Sequence, residues 1–200
     1  MVADAGEASG APEEDKHNRV PGGADIWVLL GGDFCVFSLF FATYAWYWQQ
    51  EPLVFSDSQQ QVDTLIGFAN TLLLLTGSWL VASAMRRIRE GELHSAGLLM
   101  GLGSATGFLF LLNKSIEWTH LFNQGIAADT NIYFTLFFML TGIHGLHVII
   151  GTGVLVYFFL RLRNTDATPL TFHTLEGGAL FWHLVDVLWI VLFALVYLVS

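Results

Sequence analysis

Cysteine, proline and basic residues are scarce in this chain, and each scarcity excludes a kind of structure or of binding site. The 200 residues include one cysteine, four prolines and eight lysines and arginines. Cys35 lies inside an apolar run, and a lone thiol forms neither an internal disulfide nor a Cys-x-x-Cys metal or redox site. No proline falls within a long apolar run, and no basic cluster suits nucleic acid.

Charge of either sign is also rare, at 12% of the residues, whereas hydrophobic residues make up 54% and the mean hydropathy is +0.57. Soluble domains contain about a quarter charged residues. The charges present are crowded into short stretches between long apolar runs. This composition indicates an integral membrane protein.

Five apolar segments are long enough to cross a bilayer as helices, which takes about 20 predominantly apolar residues. Their continuous apolarity excludes the alternation of a transmembrane β-barrel. The predicted fold class is therefore an all-α integral membrane protein, in which residues 25–200 form a bundle of five transmembrane helices. Because the connections are short, we expect consecutive helices to be antiparallel neighbours. The predicted spans are Asp25–Trp48, Val62–Met85, Ser95–His120, Asn131–Leu160 and Gly178–Val199.

Lysine and arginine lie on one side of these spans. Seven of the eight precede the first span or lie in the loops after the second and fourth spans, and the eighth, Lys114, lies within the third. The loops around residues 49–61 and 121–130 contain none. Because basic loops stay in the cytoplasm, the amino terminus is predicted to be cytoplasmic and Ser200 to lie outside.

Residues 1–24 are rich in acidic, small and polar residues, and we expect a disordered tail there. The segment lacks the basic start and apolar centre of a secretion signal, and it lacks an arginine-rich transit sequence. The predicted location is therefore a bacterial inner (plasma) membrane, crossed several times.

Glycines recur at close spacing in the third and fourth spans. Small residues let helix backbones approach closely in lipid, where burial of apolar area contributes little. The pattern therefore predicts a tight bundle. The glycines are Gly97, Gly101, Gly103 and Gly107 in the third span, and Gly142, Gly145, Gly151 and Gly153 in the fourth.

Ionisable residues inside the spans need partners or neutralisation. An aspartate or lysine at the centre of a span costs about 2.5–3.5 kcal/mol on insertion scales. Residues three apart share one helix face. This spacing pairs Lys114 with Glu117, and it pairs His183 with Asp186.

Asp33 has no such partner on its own helix, where its neighbours are leucine, valine and phenylalanine. It lies about 10 Å into the membrane from the inner end of the first span, by the helical rise per residue. We expect Asp33 either to be protonated at neutral pH or to bond to another helix. A proton-handling role and a purely structural role, joining two helices, both fit this position.

The fourth span contains His144 and His147, again three residues apart. Together with Glu117, His183 and Asp186 they offer ligand types that suit iron or copper. A buried polar network joining the fourth and fifth spans is the interpretation we favour. His-x-x-His alone is a weak metal signal. No metal is assigned to this chain.

Two segments carry the motifs of a known family. The stretch Thr141–Gly151, TGIHGLHVIIG, closely resembles the penultimate-helix signature of subunit III of heme–copper terminal oxidases. Glu176 and Trp182–Trp189, WHLVDVLW, resemble the glutamate and the Trp-His-x-Val-Asp-x-x-Trp of that family's last helix. More weakly, Gly32–Phe37 is similar to the helix in which the family keeps an intramembrane carboxyl, here Asp33.

The resemblance implies a short, five-helix form of subunit III. Such a subunit has no heme or copper of its own and packs against a catalytic subunit that holds them. In the family it stabilises the catalytic subunit, helps to sustain proton uptake from the inner side and binds phospholipid. Asp33 is the candidate proton-handling residue. The candidates for a structural polar network or for lipid contact are Lys114, Glu117, His144, His147, Glu176, His183 and Asp186.

Three alternatives remain. The same motifs occur in the subunit-III-like proteins associated with nitric oxide reductases. The residues at two variable positions, Asp33 and Lys114, also resemble those proteins. A small proton-coupled transporter or channel would carry intramembrane carboxylates and histidines, although the chain lacks the internal repeat and broken spans common in transporters. A membrane metalloenzyme would bind iron or copper itself.

Overall fold

The computed structural model describes residues 23–164 and 170–199 as helices and short connections, with no strand in either range. The elements are α1 (Gly23–Gln50), α2 (Pro52–Gln59), α3 (Thr64–Arg89), α4 (Leu93–Asn123), α5 (Ile132–Arg163), α6 (Phe172–Phe193) and a π-helical turn (Ala194–Leu198). Five are long and apolar enough to cross a membrane, namely α1, α3, α4, α5 and α6 with the π-helical turn. The predicted five-span, all-α architecture is confirmed.

Residues 1–22 lie outside the described ranges, so the predicted tail, 1–24, is described only where Gly23 and Ala24 begin α1. The chain direction alternates from α3 to α6. We call the end of the bundle where α3 and α5 finish and α4 and α6 begin the arginine end, because it holds Arg86, Arg87, Arg89, Arg161 and Arg163. The opposite end holds α2.

Local side chains explain where several helices begin and end. The Asp63 and Asn131 carboxylate and amide oxygens accept N–H groups of the first turns of α3 and α5, at 2.9 Å and 3.0 Å. At their other ends α3 and α4 are followed by Gly91 and Gly125, with φ of 82° and 78°. Glycine adopts this left-handed conformation readily, so both helices stop there and reverse sharply.

Helices α3, α4, α5 and α6 pack in a closed ring around the Trp182 side chain, which is fully buried. A Cβ atom added at Gly107 or at Gly151 would lie 3.0 Å from the indole. These two glycines therefore make room for the indole between α4, α5 and α6, as the glycine pattern predicted. At Gly145 and Gly153 such an atom would meet nothing within 4 Å, so this packing does not require glycine at either position.

Helix α1 lies outside this ring, and its position corrects one expectation. It packs on α6 and, less extensively, on α5, whereas consecutive spans were expected to be neighbours throughout. Only 11% of the most apolar 18-residue stretch of α1 is buried, compared with 56% for α6. The connection through α2 is long enough to carry the chain from the flank of the bundle to α3.

The helix boundaries also differ from the prediction. Helix α2 was expected to be part of a loop, yet Pro52 begins it and Phe55 is buried in contact with the rings of Tyr44 and Tyr133. Helix α6 begins at Phe172 instead of Gly178, because its first turn is polar and lies outside the apolar stretch that marked the span.

Candidate functional site

Asp33 lies beside His147, so the carboxyl on the loosely packed α1 has a partner on α5. The Asp33 Oδ1 and His147 Nε2 atoms are 3.5 Å apart. The other ring nitrogen, Nδ1, is 2.8 Å from the Ile143 carbonyl oxygen. A carbonyl oxygen only accepts, so Nδ1 carries a hydrogen and donates it. That bond directs Nε2 towards the carboxyl.

This geometry sets an acidic and a basic side chain from two helices face to face. Because Nδ1 is bonded to the Ile143 carbonyl, Nε2 is the ring nitrogen that faces the Asp33 carboxyl. Aspartate and histidine are both residue types that proton relays use, so the pair is the candidate proton-handling group of the described residues.

The surroundings of the pair are apolar but not closed. The Phe37 and Phe181 rings lie 5.4 Å and 6.2 Å from the His147 ring, measured between centroids. The Asp33 and His147 side chains remain 21% and 16% exposed. The pair therefore lies partly open on the flank of the bundle.

Lys114 and Glu117 form a second charged site, deep between α4 and the π-helical turn. The Lys114 Nζ atom donates to Glu117 Oε2 at 2.7 Å and to the Tyr197 hydroxyl at 2.9 Å, and that hydroxyl donates to Glu117 Oε1 at 2.7 Å. The two charged side chains are only 8% and 3% exposed. The i, i+3 pairing predicted from the sequence is confirmed, with a tyrosine as a third member.

Aromatic rings and the π-helical turn enclose this cluster. Lys114 Nζ lies 4.7 Å from the Phe137 ring centre, where the negative face of the ring favours a cation. The π-helical turn contributes Tyr197. One residue earlier, the Val196 carbonyl accepts from the Tyr133 hydroxyl at 3.0 Å and from Gln59 at 3.2 Å. These bonds fix the turn that positions Tyr197.

His183 on α6 belongs to a third group, shared with α3. Its Nδ1 atom is 2.6 Å from the Ser78 hydroxyl and 3.9 Å from Asp186 Oδ2. The predicted i, i+3 proximity is present, but Ser78 is the nearer partner. Closer to the arginine end, Glu176 lies 3.4 Å from Arg89, and this pair also joins α6 to α3.

His144 takes part in none of these groups. It is fully buried, and its ring lies 5.1 Å from that of Trp189 and 5.5 Å from that of Phe110. Neither ring nitrogen has a hydrogen-bond partner within residues 23–164 and 170–199. The side chain therefore packs as an aromatic ring between α4 and α6.

The sequence had suggested one network between the fourth and fifth spans, and the structure shows three separate groups instead. They join α1 to α5, α4 to the π-helical turn, and α6 to α3. Ser78 and Tyr197 could not be identified from the sequence, because neither hydroxyl lies near its partner along the chain. In the part of the chain that the structure describes, no three His, Cys, Asp or Glu side chains are arranged to hold a metal ion.

Comparison with known proteins agrees with this picture of a membrane-embedded helical bundle. A sequence model described as "Cytochrome c oxidase subunit III" matches residues 58–200, which is most of the chain. The chain belongs to the cytochrome c oxidase subunit III family. The match includes α3 to α6 and hence the motifs of the last two helices, while Asp33 lies before it.

Individual relatives extend the similarity to nearly the whole chain. "Cytochrome c oxidase subunit 3" of Synechocystis sp. is 31% identical over 174 residues, which cover 86% of this chain and 73% of the relative. "Quinol oxidase subunit 3" of Bacillus spizizenii is 30% identical over 177 residues, covering 88% and 85%. The Bacillus subtilis protein of the same name is 30% identical over 176 residues, covering 88% and 85%.

The family assignment establishes several of the expectations. The chain is a multi-pass membrane protein of the heme–copper oxidase subunit III family, and such a subunit belongs to a complex with a catalytic subunit. These relatives are named for cytochrome c and for quinol oxidases alike. Neither the nitric oxide reductase alternative nor the transporter alternative is supported by the family model or by these names.

Proposed function

We propose that this chain is the non-catalytic subunit III of a heme–copper terminal oxidase, and that it supports the stability and the proton uptake of the catalytic subunit in aerobic respiration. The hemes and copper belong to that partner subunit, and this chain binds none of them. We place the chain in a bacterial inner membrane, with its amino terminus in the cytoplasm. Phospholipid binds to part of the chain's surface.

The observation that carries the proton-uptake role is the Asp33–His147 pair. Its two side chains come from different helices, lie 3.5 Å apart and stay partly exposed on the flank of the bundle. A group that only joins helices gains from complete burial, whereas a group that exchanges protons needs access. The exposure of this pair therefore favours exchange with a group outside the chain.

The supporting role is favoured by how the other charged groups are used. Lys114, Glu117 and Tyr197 satisfy one another, and His183 is engaged by Ser78. Because these bonds occupy the polar atoms of the α4 cluster, its side chains are suited to stabilising the bundle and not to binding a cofactor.

The proposed orientation of the chain in the membrane is inferred from the arginine end of the bundle. Five arginines lie there, in the last turns of α3 and α5, where they complement the negative end of the helix dipole. Basic residues of this kind stay cytoplasmic. An inward-facing arginine end places Asp33 in the inner half of the membrane or near its middle.

The experiment compares Asp33→Asn with Asp25→Asn in the purified oxidase complex. Asp25 is the matched control, since it is the other carboxyl of α1 and is exposed at the first turn. We expect both variants to assemble, and only Asp33→Asn to slow proton-coupled turnover. Loss of assembly with Asp33→Asn, or unchanged turnover, would contradict the proposed role. A tagged chain that co-purifies with no heme-bearing partner would contradict the subunit assignment itself.

A further inference from the structure

A cavity lies between α1, α5 and α6 at the arginine end, on the side of the bundle that carries the Asp33–His147 pair. Its volume is about 490 Å³. His173 and Thr174, both exposed in the first turn of α6, lie at its rim. Further in, its walls consist mainly of apolar side chains from all three helices. The cavity therefore opens at the arginine end and follows the seam between α1 and the four-helix ring.

The walls of this cavity lead towards the pair. Leu29 lines the cavity on α1 and lies about one turn before Asp33, and Ile150 lines it on α5 and lies about one turn after His147. Residues three or four apart share one helix face, so the cavity and the pair occupy the same faces of α1 and α5. Phe181 of α6 borders both, because it lines the cavity and its ring lies 6.2 Å from the His147 ring.

We propose that this cavity is a hydrated vestibule, through which protons from the aqueous phase at the arginine end reach Asp33 and His147. The inference rests on the proton-handling part of the proposed function and names the source of the protons. A hydronium ion that reaches the pair transfers its proton to the Asp33 carboxylate or to the neutral His147 imidazole and leaves as water. The volume has room for roughly ten water molecules or more, at about 30 Å³ each.

Two glycines give water hydrogen-bond partners inside the apolar walls. Gly177 and Gly178 line the cavity and have no side chain to cover the backbone of α6. Each backbone carbonyl oxygen has two lone pairs, and the helical hydrogen bond uses one of them. Beyond these glycines Phe181 forms an apolar constriction, and constrictions of this kind control the passage of water by dewetting. Phe181, and not the wider outer part of the cavity, therefore limits exchange with the pair.

The first test labels an introduced cysteine with a charged methanethiosulfonate, using the complete complex in vesicles with the arginine end outward and Cys35→Ser as the background. Val154→Cys places a thiol in the cavity wall, about 14 Å before the end of α5 at Arg163. Gly153→Cys is the matched control, because it lies at the same depth, is exposed and does not line the cavity. Only the thiolate reacts, and a thiol ionises only in contact with water, so we expect labelling at least about tenfold faster for Val154→Cys. Equal rates, or no labelling of Val154→Cys because an acyl chain fills the cavity, would overturn the proposal.

The second test blocks the vestibule. Val154→Trp fills the cavity, whereas Gly153→Trp adds the same side chain outside it. Proton-coupled turnover is measured for each variant, alone and combined with Asp33→Asn, with thermal unfolding as a check on assembly. We expect Val154→Trp to slow turnover as much as Asp33→Asn does, Gly153→Trp to leave it unchanged, and Val154→Trp to add nothing once Asp33 is replaced, because the cavity leads to that residue. Further slowing in the Asp33→Asn background would overturn the proposal, and if Val154→Trp fails to assemble, the labelling result decides.

The vestibule and the role of the pair can fail separately. Labelling does not depend on turnover, so an unlabelled Val154→Cys would refute the vestibule and leave the Asp33–His147 role intact. Unchanged turnover in Asp33→Asn would refute that role even if Val154→Cys is labelled. Asp25 also lines the cavity, but the vestibule requires no charge there, and asparagine keeps a polar group. Asp25→Asn therefore remains a control for the carboxyl of Asp33.

Discussion

Two of the three charged groups inside the described spans differ in how completely they are closed. The Lys114–Glu117 pair lies in the four-helix ring, where the side chains are 8% and 3% exposed and Tyr197 bonds to both. The Asp33–His147 pair lies between the ring and the loosely packed α1, where the side chains are 21% and 16% exposed. One site has its polar atoms satisfied within the chain, and the other remains accessible.

The degree of enclosure indicates which of the two sites is structural and which is functional more clearly than the residue types do. Both sites contain a carboxylate and a nitrogen base, and both are embedded in a span. Removing one partner from an enclosed pair leaves an uncompensated charge in a region of low dielectric. At a partly exposed pair, screening from outside the chain lowers that cost. We therefore expect large stability effects at the first site and functional effects at the second.

The largest effect on stability is expected for Lys114→Met, which leaves Glu117 without its cation among Phe137, Trp189 and Tyr197. Breaking a buried ion pair in this way costs about 3–5 kcal/mol. Thermal unfolding of the detergent-solubilised complex measures the loss. The matched control is the double variant Lys114→Met with Glu117→Gln, which should recover most of the stability. A double variant as unstable as the single one would contradict the charge argument.

A smaller loss is expected for Gly151→Val, because its side chain would collide with the indole of Trp182. Overpacking of this kind costs about 1–3 kcal/mol. The control is Gly153→Val on the same helix, where nothing lies within 4 Å. The same unfolding assay should separate the two variants. If both were equally destabilised, β-branching in the helix would explain the effect and close packing at Trp182 would not.

A still smaller effect is expected for Ser78→Ala, which removes the 2.6 Å hydrogen bond to His183 between α3 and α6. Side-chain hydrogen bonds between membrane helices contribute about 0.6 kcal/mol on average. Thr76→Val is the control, because among the described residues the Thr76 hydroxyl bonds to the Leu72 carbonyl of its own helix and to no other helix. An equal change in unfolding temperature for both variants would show that the bond to His183 adds no stability.

The sequence was sufficient for features that depend on composition and on one helix at a time. The five spans follow from the long apolar runs, and the Lys114–Glu117 pair follows from i, i+3 spacing. Partners from distant segments could not be predicted. His147 is the partner of Asp33 only because α1 lies against α5 and α6, and the chain passes through an unpredicted α2 to reach α3.

The same limit, that spacing does not identify partners on other helices, explains why a single polar network was expected between the last two spans. Residues on one helix face can be read from spacing, but the neighbour that this face meets depends on the packing of all the helices. The hydroxyl of Tyr197 reaches Glu117 because a π-helical turn follows α6. An extra residue in one turn changes the direction of every side chain after it, and no motif marks that change here.

The smallest effect on stability, and the most direct test of the account, concerns Asp33 and His147 acting as a pair. Proton-coupled turnover of the complete oxidase is measured for Asp33→Asn, for His147→Gln and for the double variant, with thermal unfolding as a check on assembly. If the pair acts as a unit, each single variant slows turnover to a similar extent, the double variant is no slower than either, and unfolding changes by less than about 1 kcal/mol. Effects on turnover that multiply in the double variant would show two independent groups and would contradict the central claim.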